Sequence, residues 1–178
     1  NYDSCVISVG ASSIVPNFEG VKLPGVFTMR LPDDAINLRD FIKNTGAKKA
    51  VVAGGGFIGL ETAENLKAQG LDVTVIDMAS QIMTNFDRDI ADYCRRQMVK
   101  SGIRIMTSTK IEGITGTERV TGVKTDKGSV SADLVVLSIG IKANTAFLKD
   151  SGIEMDAKGL IKVDEKLRTN VNDVYAAG

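Results

Sequence analysis

The sequence has no histidine, no tryptophan and only two cysteines among its 178 residues. Many dehydrogenases use histidine as the acid or base that moves a proton, so histidine-based proton transfer is excluded for these residues. Alcohol oxidation by a Tyr-x-x-x-Lys pair is also excluded, because no lysine follows Tyr2, Tyr93 or Tyr175 at that spacing. A zinc site needs histidines or clustered cysteines, so no metal is expected.

An excess of charge and long apolar runs are missing too. The 22 basic and 22 acidic residues give a formal net charge of zero, whereas nucleic-acid-binding domains usually carry a basic excess. No apolar run approaches the roughly 20 residues of a membrane-spanning helix, and no charged-then-apolar leader is evident. We therefore expect a cytoplasmic protein that has neither nucleic acid nor membrane as a partner.

The two cysteines lie in apolar segments rather than in a redox motif. Cys5 belongs to the apolar run 5–9, and Cys94 shares a helical spacing with Ile90 and Met98. Free cysteine behaves as a small buried hydrophobe, and no C-x-x-C spacing is present. Both cysteines are predicted to be core residues, and no catalytic residue is assigned.

A glycine-rich turn is the most informative feature that is present. The apolar segment 49–53 runs into Gly54, Gly56 and Gly59, a G-x-G-x-x-G pattern that opens a helix-period segment. In such a unit the first glycine permits the tight turn, the second lets a diphosphate approach the backbone, and the third lets the helix pack on the sheet. The N-terminus of the helix then favours the negative charge. The pattern predicts dinucleotide binding.

An acidic residue follows the next predicted strand, as such a site requires. The apolar segment 72–76 ends in Asp77, which is placed to accept hydrogen bonds from the ribose hydroxyls of an adenosine. The alternative is an ordinary βαβ unit with a surface aspartate. The carboxylate would repel a 2′-phosphate, and residues 78–81 contain no arginine or lysine to hold one. The predicted cofactor is therefore NADH, with NADPH less favoured.

The remaining segments predict an α/β fold. The apolar pattern indicates a buried strand at 3–9, a short extended segment at 26–28, strands at 103–106 and 133–138, and helices from Pro32 to about 46, over 58–70 and over 88–100. Three closely spaced segments, 109–115, 119–125 and 128–131, are typical of an antiparallel meander. We expect a Rossmann-like, doubly wound, mostly parallel sheet with helices on both faces and this β-meander appended. The charged residues of the meander are expected to form a solvated edge: Lys110, Glu112, Arg119 and Lys124.

Five stretches, in order, resemble the nicotinamide-binding part of the pyridine nucleotide–disulfide oxidoreductase family. They are residues 2–11, the helix from Pro32 with the glycine motif continued by Glu61 and Ala63, residues 73–77, residues 138–145 and residues 169–178. In this family an FAD domain is interrupted by an NAD(P)H domain. Residues 25–30 and 85–87 are most similar to its NADH oxidase and coenzyme A–disulfide reductase branch.

The resemblance implies a division of the chain and a set of site residues. Residues 1–30 would be a terminal stub of the FAD domain with a linker, 31–148 the NAD(H)-binding domain, and 149–178 the return linker and the start of an FAD-domain strand. The branch's redox cysteine lies on an FAD-domain helix, and neither Cys5 nor Cys94 matches it. The residues assigned to cofactor binding are Gly10, Gly54, Gly55, Gly56, Phe57, Ile58, Gly59, Glu61, Asp77, Met78, Ile139, Gly140 and Gly178.

Two of these side chains have alternative interpretations. By resemblance, Phe57 lies beside the nicotinamide pocket and moves aside when the cofactor docks on the flavin; alternatively, it packs on the sheet at the start of the helix. By resemblance, Glu61 orients the nicotinamide carboxamide; alternatively, it only complements the helix dipole.

The functional prediction is the NAD(H)-binding domain of a flavin-dependent oxidoreductase. It would deliver hydride from NADH to FAD for reduction of oxygen, a disulfide or a similar acceptor. A flavin suits the absence of a proton-transfer residue. Its partners would be the rest of its own FAD and dimerisation domains, and the isolated domain should bind nucleotide without turnover. Two alternatives stay open: a stand-alone nucleotide-binding module without turnover, and a Rossmann-type dehydrogenase, which the missing histidine disfavours.

Overall fold

The computed structural model describes residues 2–178, which form two compact units. The larger unit comprises residues 13–140, and the smaller combines residues 2–12 with 141–178. Asn1, the first residue of the predicted segment 1–30, lies outside the described residues. The assignment of the outer segments to an FAD domain stays a prediction.

The larger unit is built on a five-stranded parallel sheet. In their order across the sheet, the strands are β3 (Val26–Thr28), β10 (Leu134–Leu137), β4 (Lys49–Ala53), β5 (Asp72–Ile76) and β6 (Arg104–Met106). The central strands are almost entirely apolar because side chains on both of their faces are buried. The parallel arrangement places the carboxyl ends of all five strands at one edge.

Three helices cover one face of this sheet. They are α1 (Pro32–Thr45), α2 (Phe57–Ala68) and α3 (Arg88–Lys100). Alternate strand residues such as Val52 and Val75 form one core cluster with Leu66 and Met98 of the helices. At the start of α1, the Asp34 carboxylate accepts a hydrogen bond from the Leu31 N–H at 2.9 Å, which satisfies a free donor of the first turn.

The antiparallel meander covers the opposite face. Its strands are β7 (Ile111–Gly116), β8 (Val120–Thr125) and β9 (Gly128–Ser131). Val120 and Val123 of β8 share a second core cluster with Val51 and Val135, which point away from the helices. The prediction of helices on both faces is therefore wrong: the apolar side of the meander buries the face that a second helix layer would have covered. The predicted α/β class, the mostly parallel sheet and the appended meander are confirmed.

The smaller unit consists of short strands and turns. Its strands are β1 (Cys5–Ile7), β2 (Ala11–Ser13), which runs one residue into the larger unit, β11 (Ile141–Ala143) and β12 (Val174–Ala176), with a 3₁₀ turn at Ala146–Leu148. β1 pairs in parallel with β12, and β2 pairs with β11. Ile7, Leu148 and Ala176 form a small core against which Cys5 packs.

Both cysteines are free thiols and partly buried. Cys94 packs against the core cluster that lies beneath the helices, as the spacing along α3 predicts. Within residues 2–178, no helix is both long and apolar enough to cross a membrane.

Candidate nucleotide-binding site

The glycine turn joins β4 to α2 at the carboxyl edge of the sheet. Gly54 has a φ of 108°, a left-handed conformation that favours glycine. A Cβ at Gly54 would overlap the carbonyl oxygen of Ser138, and a Cβ at Gly59 would overlap the carbonyl oxygen of Gly54. Because both obstacles are backbone atoms just after the ends of buried strands, the fold itself requires glycine at these two positions.

Gly56 differs because nothing in the fold requires a glycine there. Its φ of −79° and ψ of −178° are open to any residue, and a Cβ would meet no heavy atom within 4 Å. This open space lies at the start of α2, where the first N–H groups have no partner within the helix. A missing side chain at this point suits a ligand that approaches the backbone, such as a diphosphate.

The Asp77 carboxylate is bonded to the glycine turn. One of its oxygens accepts a hydrogen bond from the Gly55 N–H at 2.6 Å, and the other accepts one from the Ala79 N–H at 2.7 Å. Each carboxylate oxygen has further acceptor capacity. The partly buried Asp77 side chain can therefore hold the turn and still accept hydrogen bonds from a ligand.

The loop after Asp77 holds the turn from another side. The Met83 N–H donates to the Gly55 carbonyl oxygen at 2.8 Å, and Met83 adopts a left-handed φ of 50°. The neighbouring Ile82 is fully buried, and a Cβ at Gly55 would lie only 2.7 Å from its side chain. The backbone of Gly55 is thus fixed at both its N–H and its carbonyl, so the turn is preorganised.

A cavity of about 510 Å³ opens at this edge, over the ends of β10, β4, β5 and β6. Its volume is in the range of small-molecule sites. Of the residues predicted from the sequence, it brings together Gly54, Gly56, Asp77, Met78 and Ile139. Apolar walls come from Pro16, Phe18 and Ile111. The same cavity is therefore lined by Gly56 of the glycine turn and by Asp77, which follows the next strand.

Thr109 and Lys110 are among the cavity residues that the sequence patterns did not identify. Thr109 is buried, and its N–H donates to the Asp77 carbonyl oxygen at 2.9 Å. Lys110, predicted to belong to a solvated edge, is exposed but lines the cavity. Their position just after β6 could have indicated that they belong to the site, because the carboxyl ends of parallel strands meet at one edge of the sheet.

Two predicted residues face a different part of the larger unit. Ile58 and Glu61 line a separate groove of about 500 Å³ between α1 and α2. They stand three residues apart on α2, so they share one helix face, and Asn65 continues that face along the groove. Glu61 therefore does not line the cavity that holds Gly56 and Asp77.

Phe57 is the first residue of α2, and 53 % of it is exposed. Its ring meets the ring of Phe86 edge-on, with centroids 5.6 Å apart and planes at 74°. The alternative that Phe57 packs on the sheet is therefore wrong. Its neighbour Gly56 lines the cavity, whereas the Phe57 ring contacts Phe86 in the loop between β5 and α3.

Gly10, Gly140 and Gly178, which the sequence also predicts, are not among the described residues that line the cavity at the glycine turn. Gly140 follows β10, and its carbonyl oxygen accepts a hydrogen bond from the Ile14 N–H at 2.9 Å. Gly10 and Gly178 belong to the smaller unit, where they line a cavity of about 330 Å³ together with Ala176 and Ala177. Both have left-handed φ angles, 65° and 112°.

Comparison with known proteins points in the same direction as the geometry. A family model described as "Pyridine nucleotide-disulphide oxidoreductase" matches residues 1–178. The chain is 41% identical over 180 residues to an NAD(P)H coenzyme A polysulfide/persulfide reductase of Pyrococcus horikoshii. It is 38% identical over 179 residues to an NADH oxidase of Methanocaldococcus jannaschii. These alignments cover 99% and 100% of this chain but only 40% of each relative, so the chain spans less than half their length.

The fold is shared with a water-forming NADH oxidase from Lactobacillus brevis whose structure contains NADH. The TM-score is 0.91 at 32% identity, and the match covers 99% of this chain and 39% of the other. An NADPH oxidase engineered from that enzyme matches with a TM-score of 0.88 at 30% identity, over 99% of this chain and 39% of the other. Its substitutions include Asp→Ala followed by Ala→Arg and Met→Ser at consecutive positions.

Proposed function

Because the chain belongs to the pyridine nucleotide-disulphide oxidoreductase family, we propose that it is the NADH-binding part of a longer, flavin-dependent oxidoreductase. In this proposal the chain holds NADH so that its hydride reaches an FAD held largely by the rest of the polypeptide. FAD, when bound, would supply the two-electron chemistry for reduction of oxygen, a disulfide or a similar acceptor. The family includes relatives named as NADH oxidase and as persulfide reductase, which differ in that last acceptor.

The observation that carries the proposal is the open space at Gly56. Gly54 and Gly59 are needed by the fold, but Gly56 is not, and its missing side chain faces a cavity of about 510 Å³. The N-terminus of α2 supplies N–H donors and a positive dipole end beside that space. The diphosphate of a dinucleotide is the group that this arrangement fits best, and Asp77 lies within the same cavity to accept from the ribose.

The residues around Asp77 support NADH over NADPH. Both oxygens of the carboxylate keep acceptor capacity after bonding the Gly55 and Ala79 N–H groups, which suits ribose hydroxyls and opposes a 2′-phosphate. The engineered NADPH oxidase lost an aspartate and gained an adjacent arginine. This chain has an aspartate, Asp77, directly after β5 and no arginine or lysine in residues 78–81.

The smaller unit has features that fit part of an FAD site. Gly10 and Gly178 adopt left-handed conformations and, with Ala177, present little side-chain bulk around a cavity of about 330 Å³. These residues would let a cofactor contact the backbone. FAD, when bound, supplies a two-electron acceptor for the hydride, and this chain's part is to bind and orient the nucleotide that donates it.

Calorimetric titration of the chain with NADH, NADPH and ADP-ribose tests the nucleotide site. We expect measurable heat with NADH and ADP-ribose and weaker binding of NADPH. The variant Gly56→Val, which places two methyl groups in the open space, should lose binding while its melting temperature stays near that of the wild type. Wild-type protein that is folded but gives no heat with any of the three nucleotides would refute the proposal.

The flavin part of the proposal needs the longer polypeptide. Full-length protein should be purified with a yellow chromophore that NADH bleaches under anaerobic conditions. Full-length protein that binds NADH but carries no flavin would instead favour the stand-alone nucleotide-binding module.

A further inference from the structure

Among the described residues that line the nucleotide cavity, Lys110 is the one lysine or arginine. We propose that it is a specificity-determining residue that contacts the 2′-phosphate of NADPH, so that the site accepts NADPH as a second, weaker cofactor. This inference rests on the proposed function, because it assigns a role to one more residue of the same nucleotide site.

The position of Lys110 follows from the order of the strands. The glycine turn follows β4, Asp77 follows β5, and Lys110 follows β6, and these three strands are neighbours in that order. Adjacent strands lie about 4.8 Å apart, so Asp77 stands between the turn and Lys110. Lys110 is therefore about two strand spacings from the place of the diphosphate.

The chemistry of the nucleotide places a 2′-phosphate on that same side. The diphosphate is attached at the 5′ carbon of the adenosine ribose, and the 2′ carbon lies across the ring from it. When the diphosphate is at Gly56 and the ribose is at Asp77, a group on the 2′ oxygen projects beyond Asp77, toward the end of β6. The cation of Lys110 is on that side, whereas residues 78–81 offer none.

The backbone that carries Lys110 is fixed relative to Asp77. The Thr109 N–H donates to the Asp77 carbonyl oxygen at 2.9 Å, and the Ser108 N–H donates to the Ala79 carbonyl oxygen at 2.7 Å. On the other side, the Lys110 N–H donates to the Asp126 carboxylate at 2.9 Å. The root of the Lys110 side chain is therefore held in place while its ammonium group is left to the ligand.

The Lys110 ammonium group has no hydrogen-bond or ion-pair partner among residues 2–178. The meander lysine Lys124, in contrast, pairs with Glu112 at 3.3 Å. The Asp126 carboxylate accepts the Lys110 N–H, and the Asp77 carboxylate accepts the N–H groups of Gly55 and Ala79. A dianionic phosphate would thus gain a cation that forms no competing ion pair in the protein.

The test compares NADPH and NADH binding to the chain at low ionic strength. Lys110→Met should weaken NADPH binding about three- to fivefold, the upper part of the range for a solvent-exposed ion pair, and leave NADH binding unchanged. Lys110→Arg should keep NADPH affinity, and the control Lys124→Met should bind both cofactors as the wild type does. Added salt should weaken NADPH binding more in the wild type than in Lys110→Met.

Three results would overturn the inference without touching the proposed function. They are wild-type protein that binds NADH but shows no NADPH binding, Lys110→Met with both affinities unchanged, and Lys110→Met with both affinities lowered equally, which would place the ammonium group on the shared diphosphate. Wild-type protein that binds neither cofactor would refute the proposed function itself. Lys110 is exposed, so the variants should fold, and a thermal melt checks this.

Discussion

Alanine at Gly56 should weaken nucleotide binding with little change in stability, whereas alanine at Gly59 should lower stability. At Gly56 the new Cβ meets nothing within 4 Å. A Gly→Ala change in a permitted conformation stabilises by about 0.4–1 kcal/mol through the unfolded state. Alanine is a poorer N-cap than glycine by about 0.5–1 kcal/mol. These effects oppose each other, so we expect Gly56→Ala to change the free energy of unfolding by less than about 0.5 kcal/mol.

The same variant should bind NADH poorly. A methyl group in the open space pushes the diphosphate away from the N–H groups of α2, and each hydrogen bond to a charged group contributes about 1.5–3 kcal/mol. The weakening should therefore be at least about tenfold, which corresponds to 1.4 kcal/mol.

Gly59→Ala should instead lower the stability of the fold. Its Cβ would overlap the carbonyl oxygen of Gly54, a backbone atom that moves only if the turn moves. Overpacking of this kind costs about 1–3 kcal/mol, so we expect a clear loss of stability, with any loss of binding following from the distorted turn.

Urea denaturation and calorimetric titration with NADH measure the two quantities. Gly113→Ala is a matched control, because its Cβ would lie 3.7 Å from the nearest atom, the Glu19 carbonyl oxygen, in ordinary contact, and Gly113 does not line the cavity. A folded Gly56→Ala variant with wild-type NADH affinity would refute the placement of the diphosphate. Wild-type stability in Gly59→Ala would refute the packing argument.

Two further changes test the acids of the larger unit. Asp77→Ala combined with Ala79→Arg should shift preference from NADH toward NADPH in competitive titration, and an unchanged preference would contradict the role of the carboxylate. Asp133→Ala should lower stability at pH 7 by about 1 kcal/mol, because its carboxylate accepts the N–H groups of Lys48 and Lys49 at 2.8 and 2.9 Å. The Lys48 N–H is the main cause that lowers the pKa of Asp133 below its ordinary value, so this contribution is present at neutral pH and is lost as the pH falls through the lowered pKa. The difference in stability between wild type and variant should therefore narrow as the pH falls from the ordinary value of 3.8 through the lowered pKa, and a difference that does not narrow on acidification would contradict the assignment.

The central βαβ unit could be predicted from the sequence because its signals are local. The apolar run before the glycine turn, the spacing of the glycines and the acid after the next strand each depend on neighbouring residues. The strand and helix bounds of β4, α2 and β5 follow that prediction within a few residues. The second face of the sheet was not predictable in this way, since an apolar strand needs cover on both faces but does not say whether a helix or a meander supplies it.

The site was harder to predict where its parts come from distant segments. Lys110 reaches the cavity only because β6 lies next to β5, and its own sequence neighbourhood is that of a charged, exposed turn. Glu61 shows the reverse case. Its place in the motif suggests the cavity, but helical geometry turns it to the groove beside α1, together with Ile58.

The double role of Asp77 links cofactor preference to the geometry of the turn. Its carboxylate bonds the N–H groups of Gly55 and Ala79 and also lines the cavity. A substitution that removes the negative charge also leaves those two donors without their acceptor, which costs about 1–3 kcal/mol when the donor is shielded from water. Gly55 is shielded on one side by the buried Ile82. We therefore expect Asp77→Ala alone to lower the melting temperature and to weaken both cofactors, whereas Asp77→Ser, which keeps an acceptor oxygen, should preserve more of the NADPH affinity. Equal binding of NADPH by the two variants would show that the turn holds its shape without Asp77.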